Sequence, residues 1–158
     1  MYMSATQYGS DAGLVEVVFV RHSRVRYDIE LEPEAELCPA DTRLYLREAF
    51  KNAGRVITPF QARIVSRCGV PIRRAIPRIA RANLGWEFGN IRHLIAWGAV
   101  RYGFEPTVIA LGTRVCAEGE IMFPYVVDYG SERSIGLLPQ YCSTEAYEHF
   151  LLIRHMPM

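Results

Sequence analysis

Apolar positions along the chain change their spacing several times, and each change marks an element. LVEVVFVRHSRVRYDI, residues 14–29, is dominated by β-branched and aromatic residues around a turn-compatible His22–Ser23. Such side chains lose rotamer freedom in a helix and pack well on a pleated surface, so the stretch predicts a long bent strand or a hairpin. ELEPEAELCPAD, with its acids and prolines, reads as a solvated loop. In TRLYLREAF, residues 42–50, Leu44, Leu46 and Glu48 alternate with Arg43, Tyr45, Arg47 and Ala49, the period of a strand. KNAGR supplies a turn at Gly54, and VITPFQARIVS returns as a second strand. The pair predicts an antiparallel hairpin with Arg47 on one arm and Arg63 on the other.

The period then lengthens. In GVPIRRAIPRIARANLG, Ile72, Ile76 and Ile79 recur at helical spacing, with Pro71 suited to a first turn and Gly85 to a stop. Pro77 lies inside this helix and, lacking an N–H, predicts a split or a kink. NIRHLIAWGAVRYGF fits helix or strand by periodicity. Residues 107–116 and 121–129 are β-rich runs joined by AEGE, a tight hairpin with Gly119 free to take positive φ. The tail can end in a short amphipathic helix, starting near Ser143 or Thr144, or in a last strand. Strands, a helical block and further strands predict an α+β fold on an antiparallel sheet. No linker divides the chain, so one domain is expected over 1–158, with a flexible start at 1–13 and an unassigned tail at 131–158.

The 158 residues are 50% hydrophobic and 22% charged, which supports an ordinary core without disulfide or metal staples and excludes a disordered chain. No apolar run reaches the roughly 18 residues of a membrane span, and no secretory signal is readable at the start. The expectation is a cytoplasmic protein without membrane contact. Cys38, Cys68, Cys116 and Cys142 contain no CxxC pair, and His22, His93, His149 and His155 never fall at i, i+4, so no metal site is readable. A net charge of +1 without a basic stripe argues against a nucleic-acid partner. A helix-turn-helix reading, with Arg73, Arg74, Arg78 and Arg81 toward phosphates, fails because Pro77 would interrupt the reading helix and because Ile64 and Val65 belong to a strand. LGWEFGN lacks the context of a phosphate loop, and no serine sits in a G-x-S-x-G elbow.

What remains is arginine. Lys51 is the single lysine among 18 basic residues, and the guanidinium fork binds carboxylate or phosphate bidentately. If Arg47 and Arg63 face one sheet surface, their guanidinium groups converge, and Glu48 points to the opposite face. A desolvated arginine pair without acids is costly unless an anion completes it. The alternative pairs these arginines with loop acids such as Glu34 or Glu36.

The stretch from VEVVFVRHSRVRYDI to TRLYLREAF resembles the first half of the bacterial chorismate lyases, with a β-rich start, an acidic proline-containing loop and a YxLRE-type segment in the same order. QARIVS, NLGWEFG and RVCAEGEIMFPYVVDYG are similar to later segments of that family, so the resemblance covers roughly residues 15–130. It implies an antiparallel sheet of about six strands, with helices packed on one side and an enclosed ligand cavity, and it makes Ile91–Ala99 a strand. It implies removal of pyruvate from chorismate to give 4-hydroxybenzoate, with no cofactor and no metal.

Carried over by position, Arg47 would hold the ring carboxylate, Arg63 would be the second active-site arginine, and the backbone N–H of Leu84 would help bind the carboxylate. The family's glutamate falls on Val126, which leaves Asp128, two residues on, as the available acid. The family's N-terminal helical portion and a counterpart to residues 131–158 are missing. The resemblance therefore points to a cofactor-independent lyase acting on a small aromatic or cyclohexadienyl carboxylate. Two alternatives stand beside it: the same fold catalysing a different elimination, cyclisation or rearrangement in secondary metabolism, and a non-catalytic effector-binding domain.

Overall fold

A computed structural model describes residues 7–8, 14–18, 30–31, 42–53, 59–66, 69–100, 107–128, 133–143 and 148–156. These form an α+β fold. Its strands are β1 (Gln7–Tyr8), β2 (Leu14–Val18), β3 (Glu30–Leu31), β4 (Phe60–Ser66), β5 (Glu87–Phe88), β6 (Thr107–Ile109), β7 (Val115–Ala117), β8 (Glu120–Asp128), β9 (Arg133–Pro139) and β10 (Glu148–His155). The helices are α1 (Thr42–Asn52), α2 (Ile72–Ala82) and α3 (Ile91–Val100). Seven of these strands have three or more residues. All ten join one sheet in the order β1-β2-β4-β10-β6-β8-β9-β3, with β5 beside β10 and β7 beside β8.

The sheet is mixed rather than purely antiparallel, because β10 runs parallel to β6 and β3 runs parallel to β9. The tail that sequence reasoning left unassigned supplies β9 and the central β10, so the last-strand alternative is the one adopted. β10 is sandwiched between β4 and β6 and reads FLLI across its middle, the continuous apolar run of a strand buried on both faces.

Helices cover both faces of the sheet, not one. Alternate residues of the central strands divide cleanly. Ala62, Leu151, Ile153, Val108 and Val126 pack with Leu94, Ala96 and Trp97 of α3. Phe150, Leu152, Ile109, Tyr125 and Val127 pack with Ile72, Ala75 and Ile79 of α2. Helix α1 joins α3 on the first face, where Leu46 meets Ile91, Ile95, Met122 and Leu137.

Two segments expected as strands are helices. Tyr45, Leu46, Ala49, Phe50 and Ala53 of the α1 region pack into one cluster. Their spacing is that of a helix face, whereas a strand would have buried Leu44 beside Leu46; Leu44 is exposed. Ile91–Val100 is helical because its first turn is fully capped. Asn90 Oδ1 accepts from the backbone N–H groups of Arg92 (2.8 Å) and His93 (3.1 Å), and Thr113 Oγ1 accepts from that of Ile91 (2.8 Å).

Other expectations hold. β4 occupies the predicted second strand, and α2 begins after Pro71, with Gly85 at φ +86° beyond its end. Pro77, however, does not split α2, which runs through it. The AEGE hairpin pairs Ala117 with Glu120 and Cys116 with Ile121. Glu118 and Gly119 both take positive φ at its tip, as a two-residue primed turn requires. The Gly54 turn and the part of the 14–29 stretch beyond Val18 lie outside the described residues.

Candidate anion-binding site

Strand register places three cationic or aromatic groups together on the α2 face. On β4, Arg63 is opposite Leu152 and Gln61 is opposite Arg154 of β10. On the other side of β10, Glu87 of β5 pairs with Ile153, so Trp86, one residue earlier, falls beside Arg154. The guanidinium carbon of Arg63 lies 4.4 Å from the Trp86 ring centroid and that of Arg154 lies 4.6 Å from it. Both distances are within cation–π range.

Neutral amides fix the two arginines. Arg63 Nη1 donates to Asn83 Oδ1 at 2.9 Å, and Asn83 is itself held by donating Nδ2 to the Ile79 carbonyl at the end of α2 (2.9 Å). Arg154 Nε donates to Gln61 Oε1 at 2.8 Å. Arg63 Nε is shielded from solvent and has no hydrogen-bond partner among the described residues. Burial, and then the Arg154 guanidinium, hold the Arg63 pKa below its ordinary value. Among the described residues no carboxylate pairs with either guanidinium. Glu87, next to Trp86 in sequence, goes to the opposite face, where its Oε2 lies 3.6 Å from His155 Nε2. Two fixed cations share one aromatic ring, and among the described residues no carboxylate competes for their remaining donors.

The residues singled out in the sequence do not come together as one group. Arg63 lies on β4 beside Arg154 and Trp86, and Leu84 follows Asn83 directly and is 86% exposed. Arg47 is not there. It lies on α1, a helix rather than a strand, with its side chain exposed on the far side of the sheet from Arg63, so the two guanidinium groups do not converge. Val126 is 0% exposed beneath α3, also on the far face, and cannot line a pocket with Arg63. Asp128 ends β8 in register with Arg133, and its side chain lies outside the described residues.

Arg154 and Trp86 are the residues that sequence reasoning missed. The signal for Arg154 was the apolar FLLI run, which marks a central strand and makes its flanking arginine a neighbour of whatever strand pairs with it. A second polar group forms on the α3 face: the His93 ring is edge-on to Phe60 (4.9 Å between centroids) and 6.1 Å from that of His155. Burial and then His155 push the His93 pKa down to about 4, so the ring is neutral at neutral pH. Comparison with known protein families, characterised proteins and solved structures finds no match to this chain.

Proposed function

We propose that the protein binds a small anionic ligand, an aromatic or cyclohexadienyl carboxylate, at Arg63, Arg154 and Trp86. One observation carries this reading: two guanidinium groups, oriented by Asn83 and Gln61, lie over one indole with no carboxylate partner among the described residues. A carboxylate accepting from both would satisfy donors that no described carboxylate takes, and its ring could extend along the apolar edge of Trp86. This reading uses neither Arg47 nor an enclosed cavity.

Lyase action on chorismate is a second reading, favoured by the hydrogen bond that brings Arg63 to the Asn83–Leu84 turn, two of the positions carried over from the family resemblance. Binding is tested by calorimetry and thermal shift with chorismate and 4-hydroxybenzoate, since a ligand of the folded state raises its melting point. The expected result is saturable binding that Arg63→Met and Arg154→Met each weaken at least tenfold. Binding unaffected by either substitution would reject the site. Pyruvate release from chorismate, followed by a coupled lactate dehydrogenase assay, tests the lyase reading; binding without release would leave an effector-binding module.

A further inference from the structure

The near-zero net charge conceals a strong segregation. Between Ala49 and Trp86 the chain carries eight basic residues, from Lys51 to Arg81, and no aspartate or glutamate. Four of the eight, Arg73, Arg74, Arg78 and Arg81, lie on α2 with exposed side chains. The buried residues of that helix, Ile72, Ala75 and Ile79, occupy one face against the sheet. At 100° per residue the arginines fall within an arc of about 140° on the opposite face, and Arg74, Arg78 and Arg81 fall within about 60°.

Neighbouring cations at i, i+3 and i, i+4 weaken a helix, and here nothing on α2 offsets them. Its first turn carries no acid. Arg81 Nε bends back to the Pro77 carbonyl (3.3 Å), and among the described residues no carboxylate pairs with any of the four. Of the acids whose side chains are described, Glu48 lies on α1, Glu118 and Glu120 at the hairpin, and Glu87 is turned to the α3 face. Two objections raised by the sequence are removed. Charge balance over the whole chain does not describe this surface, and α2 continues unbroken past Pro77.

We infer that the solvent face of α2 docks on the phosphodiester backbone of a nucleic-acid strand. Arg74, Arg78 and Arg81 rise along the helix in steps of about 6 and 4.5 Å, at 1.5 Å per residue, and present planar forks suited to successive phosphates. An acidic protein surface would be met by this charge as well. The one-sided row of like charges, with Pro77 the one apolar side chain among the arginines, fits a repeating chain of opposite charges better than a mixed protein surface.

Fluorescence anisotropy with short labelled single-stranded RNA, single-stranded DNA and duplex DNA tests this at several salt concentrations, beginning at about 50 mM. Binding to at least one of them is expected, weakening as salt rises. The triple substitution Arg74→Gln, Arg78→Gln, Arg81→Gln should reduce affinity at least tenfold and flatten the log–log salt slope by about 2–3, at roughly 0.7–0.9 per lost phosphate contact. These side chains are exposed, and an unchanged melting curve checks that the variant is folded. Arg43→Gln with Arg47→Gln, on the other side of the sheet, should leave binding intact. No salt-dependent binding to any of the three, equal loss in both variants, or binding only to vesicles containing anionic lipid would each overturn the inference. The Arg63 site is tested separately by its carboxylate ligands, which the α2 variant should still bind.

Discussion

Asn90 and His93 cap each other. The Asn90 side-chain oxygen accepts from the His93 backbone N–H, and the Asn90 backbone N–H donates to His93 Nδ1, both at 3.1 Å. This is the reciprocal geometry of a capping box, with imidazole where glutamate or glutamine usually stands. Nδ1 must therefore be the unprotonated nitrogen, and protonating it breaks one half of the cap.

That requirement couples folding to pH. The unfolded chain takes up a proton at His93 as pH falls through about 6.5, whereas the folded protein, with the ring 7% exposed, resists until about 4. Between those values the unfolded state binds more protons, so stability rises with pH and is lost on acidification. The contribution is complete above 6.5, and the loss grows as pH falls, reaching up to about 3 kcal/mol by the acid end of the window, at roughly 1.4 kcal/mol per pH unit. Urea unfolding at pH 7.5 and pH 4.5 should show this fall. His93→Gln keeps an acceptor for the Asn90 N–H and removes the titration, so its stability should fall markedly less over the same interval. Parallel losses in both proteins would show that other groups govern the acid transition.

Arg63 and Arg47 should behave oppositely. Arg63→Met should weaken carboxylate binding at least tenfold while changing stability by no more than about 1 kcal/mol, because the lost bond to Asn83 is offset by removal of an unsatisfied Nε and of repulsion from Arg154. Arg47→Ala, on an exposed helix position, should alter stability by less than about 0.5 kcal/mol and leave binding unchanged. Loss of binding in Arg47→Ala would restore the two-arginine clamp that the fold separates.

Val126 separates structural from functional roles. It is fully buried between β8 and α3, and a Cβ built on Gly98 would sit 3.8 Å from its Cγ2. Val126→Ala should therefore cost about 2 kcal/mol through lost burial and a residual cavity. Ligand affinity measured well below the melting temperature should not change, and a specific loss of affinity would place the binding site on the α3 face instead.

Local patterns were legible where they sufficed to define an element. The β4 strand, α2 and the Glu118–Gly119 hairpin each announce themselves within a dozen residues. Leu44, Leu46 and Glu48 mislead because three alternating positions satisfy a strand, while the helical set from Tyr45 to Ala53 extends past the window in which the alternation holds. For Ile91–Val100 the deciding feature was Asn90, an N-cap residue that periodicity does not register. The site was least legible. Arg63 was singled out from the sequence, but Arg154 comes beside it only through which strands adjoin β10, and the pairing of residues 60–66 with 149–155 across the length of the chain is set by the sheet and not by any local pattern.

Pro77 gives a final test of how far tertiary packing overrides local preference. Proline in a helix interior costs about 3 kcal/mol relative to alanine, since it denies the carbonyl four residues earlier its donor. Here that carbonyl belongs to Arg73. Helix α2 nevertheless spans Ile72–Ala82 because Ile72, Ala75 and Ile79 bury against the sheet. The connection before β10 also satisfies the first turn: the Ile72 N–H donates to the Cys142 carbonyl and the Arg73 N–H to that of Gln140, both at 3.0 Å. Pro77 is exposed and touches none of these supports. Pro77→Ala should restore the missing bond and stabilise the fold by about 2 kcal/mol, after subtracting the freedom that alanine returns to the unfolded chain. For a chain of this size that raises the melting temperature by about 4–8 °C. A lowered melting temperature would mean that the ring fixes a bend on which the packing of Ile76 and Ile79 depends.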